Sequence, residues 1–579
     1  METKVREAVG EIAVGTKEQL GEAWLRKVGN LHVLKVKGSF YEMGRQHGVL
    51  LRDAIARGPL LYYRTYLEKM LAGAGAGVLA PQLRRLLDLI VGRKIRAAIP
   101  AFAEETIRGL ADGAGYPFAD VLEGCVMPES LLWLVARNIR LARTAPAVRH
   151  RVQLGLGCSS AIAWGGATAT GKLLHARNFD YHGVSTWPRE AAVIFHEPTQ
   201  GQRYVSISSA GVPLGGVQAM NESGLTLAVH QHMLCDTVRL GGCPVGVMGD
   251  RVMREATNLQ EAETILRSYR AIGGFTYLVC DGRARRVLCM EENPDRKVFT
   301  TTPVDDTTFA YANIFRDPAL GRTERDLYPS YWRHNSGRQA RLAELLDRGH
   351  GGLDPAGMAA ILADTGPDIC RLSRAIAMLM TVASVVFDPE DSVIWVGTGE
   401  TPAAHSDFLP FSLKTEDFAP EFGTLPGGSA LSAASRSAFA AYRQAYVAYV
   451  DSGDRRQALQ RMGEACELQP EQALYQFLCG LLAMKHGDLG LAEASLERAV
   501  AIGHSDSERR ATFHLWRGRV RDLAARRLDA IDDYRAVLAA DRCDPAAGTA
   551  ARKGLVTPYR ARKAAKVALD FAFADVIAP

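Results

Sequence analysis

The sequence predicts an α+β protein, in which layers of sheet and helix are followed by an all-helical tail. Three observations carry that expectation. From about residue 155 to 397, short β-branched runs alternate with glycine-rich turns, and helical patterns stand before and between them. Beyond Pro426 the strand patterns stop and alanine-rich helical ones take over.

At 579 residues the chain exceeds what one hydrophobic core usually supports. Three segments are expected: 1–157, mainly α; 158–424, a layered α+β domain; and 425–579, helical repeats. The composition, 47% hydrophobic and 23% charged, is that of an ordinary globular protein. A formal charge of +5 is spread thinly with no basic run, which excludes nucleic acid as an expected partner. The amino terminus lacks a basic n-region and apolar core, and no run approaches the roughly 18 apolar residues of a membrane span. A cytoplasmic protein without a membrane partner is expected. The ten cysteines show no CxxC spacing, so neither a disulfide framework nor a metal is expected, and no cofactor either.

In chain order, LHVLKVKG reads as an alternating strand ending at Gly38. Ser39 followed by Glu42 is a capping box that starts a helix. Helical periodicity then runs to about Ile139, interrupted at Pro81, Pro100 and Pro117. From Gly155 the strand runs are SSAIAW, KLLHARNF, AAVIFHE, RYVSISS, LTLAVHQHM, FTYLVC, RRVLCME and KVFTTT, separated by GGATATG, NESG and DGRA turns. Helical patterns fall at 244–269 and 353–363. A late hairpin turns TVASVVF back onto SVIWVG through DPED. In the tail, Gly453-Asp454 followed by Ala458 recurs as Gly487-Asp488 followed by Ala492, an offset of 34 residues and the period of tetratricopeptide helix pairs. Such an array, starting near Ser432, is expected to form its own core and leave the rest of the chain independent.

The segment LGLGCSSAIAWGGATATGKLLHARNFDY concentrates the chemistry. With the glycine-rich turn centred near residue 168, Cys158 on the first strand falls opposite residues around 178, gathering Arg177, Asn178 and Asp180 beside the sulfur. A guanidinium there favours thiolate, and the carboxylate can orient the arginine. Asn221, in the NESG turn, is expected to be a hairpin residue with positive φ. His230 and His232, on alternate strand positions, are expected to line a cleft or pack, with Gln231 on the other face.

This segment resembles the start of the catalytic subunit in the isopenicillin-N acyltransferase family of autoproteolytic cysteine enzymes, within the N-terminal-nucleophile hydrolase superfamily. GSFYEMGRQHGVLLRDAI resembles the helix that opens that family's pro-region, and TVASVVFDPEDSVIWVGTGETPAAHSDFLPFSL its terminal hairpin. The resemblance implies a four-layer αββα fold and self-cleavage at Gly157-Cys158. Cys158, newly amino-terminal, would then use its own amine as base and its thiol as nucleophile on an amide or acyl bond. It implies catalytic roles for Arg177 and Asp180. The family's oxyanion-hole asparagines correspond to Gln231, in AMNESGLTLAVHQH, and to Asn313, in TTFAYANIF. An acylated small molecule or peptide is the expected substrate, with hydrolysis favoured over transfer to an amine. Acyl-CoA- or carrier-dependent N-acyl transfer is the alternative, and a non-catalytic adaptor using the tail to hold a protein partner is the alternative of another class.

Overall fold

A computed structural model describes residues 12–71, 77–144, 157–325, 329–366, 375–428 and 432–576. Apart from one small carboxy-terminal hairpin, the strands form two large sheets. In chain order they are β1 (Glu18–Leu20), β2 (Ala23–Val28), β3 (Leu31–Gly38), β4 (Gly157–Ala163), β5 (Leu174–Asp180) and β6 (Ala191–Pro198). There follow β7 (Tyr204–Ser209), β8 (Gln218–Asn221), β9 (Leu225–Gln231), β10 (Phe275–Asp281), β11 (Arg286–Asn293) and β12 (Arg296–Thr301). The last are β13 (Thr308–Tyr311), β14 (Thr381–Asp388), β15 (Val393–Gly397), β16 (Phe408–Ser412) and β17 (Asp417–Phe418).

The ten-stranded sheet runs β1-β2-β3-β6-β7-β8-β9-β10-β11-β12, and the seven-stranded sheet β13-β4-β5-β14-β15-β16-β17. Every neighbouring pair is antiparallel except β3 with β6, which run parallel. The two sheets stack face to face, with Val205 and Met220 of one in a common core with Val385 and Ile394 of the other, and Ala228 of one in a common core with Ile162 of the other. Helix Pro329–Arg348 and helix Pro355–Leu362 cover the outer face of the seven-stranded sheet through Leu342, Leu346, Met358 and Leu362. Helices Phe40–Leu50, Val245–Glu255 and Leu259–Arg267 cover the outer face of the ten-stranded one. The result is the four-layer αββα arrangement, followed by an all-α region.

Local sequence explains most of these elements. Ser39 and Glu42 form the expected capping box: the Glu42 N–H donates to Ser39 Oγ, and the Ser39 N–H donates to the Glu42 carboxylate at 2.8 Å. The capped helix lies against Ala101–Ala114 along glycines on both sides. A Cβ added at Gly44, Gly48, Gly109 or Gly113 would overlap the facing backbone. The 244–269 pattern is two helices rather than one, because the backbone turns extended at Ala256 and Asn258 starts a second helix by accepting the Glu261 N–H. The late hairpin pairs Val385 with Val396 and Phe387 with Ile394. In the NESG turn the left-handed residue is Gly224 (φ 86°), not Asn221; the latter ends β8, donates to the carbonyls of Met253 and Ala256, and accepts the Leu225 N–H. The amino-terminal segment is less purely helical than its periodicity suggests, since β1, β2 and β3 stitch it into the large sheet.

In the tail, helix Ala433–Tyr446 pairs with Arg455–Leu468, Ala473–His486 with Leu489–Ile502, and Ser507–Leu523 with Arg527–Ala539. The recurring Gly-Asp is the hinge of the first two pairs. Gly453 and Gly487 adopt left-handed φ, and Asp454 and Asp488 cap the next helix by accepting the N–H three residues on. Among the described residues of the tail, the last helices hold a core of their own, around Leu515, Tyr534 and Val537. The earlier ones share the main core: Phe439, Tyr442, Leu474 and Phe477 are continuous with it. A short hairpin, Leu569–Asp570 with Asp575–Val576, folds back so that Phe573 packs on Tyr331 and His334 of the helix Pro329–Arg348. Asp451 accepts hydrogen bonds from Tyr62 and Ser185, each at 2.7 Å.

Candidate active site

The hairpin of β4 and β5 places Cys158 opposite Phe179, one residue from the expected pairing. Residues two apart share a face, so Arg177 joins Phe179 and Cys158 on the face turned to the other sheet. Arg177 Nη2 lies 3.4 Å from Cys158 Sγ and donates to the carbonyl of Val229 at 2.6 Å, while Nη1 donates to the carbonyl of Val217. The guanidinium is thereby pinned between the sheets by backbone acceptors of the neighbouring sheet.

Asn178 and Asp180 point the other way. Asn178 donates to the Leu362 carbonyl and accepts from Ser384, so it braces the helical layer and does not meet the sulfur. Asp180 pairs with Gly157, accepts from Thr381 Oγ1 at 2.6 Å, and has its second oxygen 4.0 Å from Arg338. Asp180 therefore flanks the Gly157-Cys158 peptide from behind, whereas Arg177 meets the thiol from the front.

Asn313 follows β13 in a left-handed conformation (φ 47°) that asparagine tolerates. Its Oδ1 accepts the Cys158 backbone N–H at 2.5 Å, and its Nδ2 donates to the Gln231 carbonyl at 2.8 Å. Both ends of this amide are thus engaged. Gln231, at the end of β9, faces the same cavity as Cys158, and its Nε2 is buried without a hydrogen-bond partner. Of the two amides expected to stabilise an oxyanion, Gln231 has the free donor; Asn313 holds the cysteine nitrogen. His230 bonds Ser160, and His232 stacks on Phe315 and bonds Thr276 and Glu324, so both are packing groups between the sheets.

Arg338, unheralded by any local motif, completes the site from the helical layer. Fully buried, it donates to the Cys158 carbonyl at 2.7 Å, to Ser159 Oγ at 2.9 Å, and to Asn313 Oδ1 at 3.1 Å. Asn335, one turn earlier on the same helix, accepts from it at 2.8 Å. A Cβ at position 157 would come within 2.9 Å of Arg338 Nη2 and 3.1 Å of Asp180 Oδ2, so any larger residue there would have to displace the Arg338 guanidinium.

Burial is the dominant influence on the thiol and pushes the Cys158 pKa up; Arg177 works against that, and Asp180 adds to it. The neighbouring arginine does not outweigh burial. Burial likewise lowers the Arg177 and Arg338 pKa values and raises that of Asp180, which the neighbouring arginines partly offset. The cavity beside the sulfur is mostly apolar, walled by Leu60, Ile99, Ile107, Phe179, Trp187 and Leu214.

Stacked sheets between helical layers, with a cysteine opening an inner strand, define an α+β protein with the architecture of the N-terminal-nucleophile hydrolases. Residues 167–402 match the family model of acyl-coenzyme A:6-aminopenicillanic acid acyl-transferase, the family to which the sequence motifs point. That match begins beyond Cys158 and includes Arg177, Asp180, Gln231, Asn313 and Arg338. The chain is also 26% identical over 275 residues to an uncharacterised protein of Archaeoglobus fulgidus, covering 47% of this chain and 45% of that one. It thus spans less than half the length of the curated relative it matches. The family match supports an acyltransferase or hydrolase activity of the N-terminal-nucleophile type. Among the described residues no helix is long and apolar enough to cross a membrane.

Proposed function

We propose that this chain is a self-processing cysteine enzyme that hydrolyses or transfers an acyl group at an amide bond through a thioester on Cys158. One observation carries the reading. The Cys158 nitrogen is held by Asn313 and its sulfur faces Arg177, at the mouth of an apolar cavity whose wall offers an unpartnered amide, Gln231 Nε2.

In maturation, Cys158 Sγ attacks the Gly157 carbonyl carbon. The C–N bond breaks as the nitrogen takes up the proton, leaving a thioester and a free amine. Water then cleaves the thioester, giving the Gly157 carboxylate and an amino-terminal Cys158. Asn313 Oδ1, already bonded to this nitrogen, keeps the new amine beside the thiol, where it accepts the thiol proton in the next reaction. Substrate acylates Sγ, the departing amine takes up that proton, and Gln231 Nε2 donates to the oxyanion of the tetrahedral species. Water or a second amine ends the cycle, and water, always present, favours hydrolysis.

The apolar cavity suits an acyl group of low polarity. A cytoplasmic setting suits the nine cysteines described, all free thiols. The tail pairs, with their 34-residue repeat, fit a tetratricopeptide-like array able to dock a protein or carrier. Purified protein assayed against N-acyl amino acids, acylated peptides and penicillin-like amides tests the substrate class. Acyl-CoA supplied with an amine acceptor tests the transfer alternative. Turnover of none of them by a chain that has cut itself would contradict the acyl chemistry.

A further inference from the structure

Four residues that line the Cys158 cavity each carry a buried polar atom with no hydrogen-bond partner and no part in the chemistry above: Glu129 Oε2, Tyr63 Oη, Tyr181 Oη and Trp187 Nε1. Glu129 is the most demanding of them. It belongs to the helix Met127–Thr144, is 1% exposed, and its Oε1 accepts the Val245 N–H at 2.9 Å. Among the described residues no cation is paired with its carboxyl. A carboxyl buried with one oxygen unanswered is destabilising unless something else answers it.

Ring contacts tie the three aromatic residues into one wall. Tyr63 meets Tyr181 edge-on at 5.6 Å, Tyr181 stacks on Phe179 at 5.2 Å, and Trp187 meets Phe179 edge-on at 5.1 Å. Phe179 is the residue directly opposite Cys158. The cavity lined by Glu129 therefore also has a continuous aromatic wall that reaches the nucleophile.

We propose that Glu129 is a specificity-determining residue of this cavity, its free oxygen accepting a hydroxyl carried by the otherwise apolar part of the substrate that fills it. A hydroxyl both donates and accepts, so it satisfies the carboxyl and one of the tyrosine or indole donors together. An ammonium can only donate and leaves Trp187 Nε1 unanswered. A plain alkyl chain leaves all four atoms orphaned. The proposal rests on Cys158 being the reactive thiol of this cavity.

The test labels the full chain with N-(hydroxyalkyl)iodoacetamides of increasing length, alongside alkyl and aminoalkyl counterparts of equal length. The rate of Cys158 modification is read by peptide mass spectrometry. The hydroxyl reagents should react about ten- to a hundredfold faster than the alkyl ones at one best length, as expected of a single buried hydrogen bond to a charged group. Glu129→Leu should abolish that preference. Glu129→Gln, which keeps the bond to Val245, should fold as the wild type and retain only part of it. Equal rates for hydroxyl and alkyl reagents in the wild type, a preference that survives Glu129→Leu, or preference for the amine would overturn the hydroxyl subsite while leaving the Cys158 reading intact. Failure of every reagent to modify Cys158 while other thiols react would instead overturn the reading on which the proposal rests.

Discussion

At the scale of single residues, the candidate site divides labour among groups brought together from both sheets and the helical layer. Arg177 serves the sulfur, Asn313 the nitrogen, and Arg338 the carbonyl of the same cysteine, while Gln231 keeps a free donor toward the cavity. Gln231→Leu should therefore lower kcat about 10²- to 10³-fold with a smaller effect on KM, as expected when a transition-state donor is lost; steady-state kinetics on any turned-over amide checks it. An effect confined to KM would make Gln231 a binding residue only. Glu129 offers an independent check through its proton. Burial raises its pKa from 4.5 to about 7. Below about pH 4.5 the folded and unfolded chains are both protonated there. As pH rises from that value toward 7 the unfolded chain ionises first, so the folded state loses stability, and the loss is complete above about pH 7. Glu129→Gln cannot ionise. It should match the wild type near about pH 4.5 and exceed it by roughly 1–3 kcal/mol near about pH 8, read from urea midpoints. Midpoints that differ equally at both pH values would contradict the buried, unpaired carboxyl.

At the scale of elements, what was legible in the sequence was local in cause. The capping box, the strand runs, the late hairpin and the Gly-Asp hinges of the tail rest on residues within one turn or one strand of each other, and the structure has each of them. The Cys158–Arg177 meeting was readable because a hairpin fixes its own register, although the actual pairing is one residue off and turns Asn178 and Asp180 to the far face. Arg338 was not readable. It lies 180 residues from Cys158 on a helix with no motif, and only stacking of the helical layer brings it there. Glu129 was hidden for the same reason. The helix pair Phe40–Leu50 and Ala101–Ala114 shows a further limit, since its spaced glycines signal close approach only once the partner is known. Gly109→Ala would drive a methyl into the backbone at Tyr41, and it should cost about 1–3 kcal/mol or more of stability by urea denaturation. An unchanged midpoint would show that the helices can separate freely.

At the scale of the whole molecule, the tail is not an appendage. Its first helices share the main core, and Phe573 packs on the same helix that carries Arg338 to Cys158. Sequence repeats reveal that helix pairs stack on each other; they do not reveal which further surface the first pair covers. A chain ended at Thr424 should expose that apolar face, and expression trials should find it insoluble or uncut at Gly157-Cys158. A soluble truncated chain that cuts itself normally would make the tail independent, as the repeat pattern alone suggests. The central claim, that Cys158 attacks its own chain, is tested most directly by intact mass under denaturing conditions. Two fragments, of 157 and 422 residues, are expected from the wild type, and one uncut chain of 579 from Cys158→Ala. A wild-type chain that stays whole, or a Cys158→Ala chain that is cut at the same bond, would contradict it.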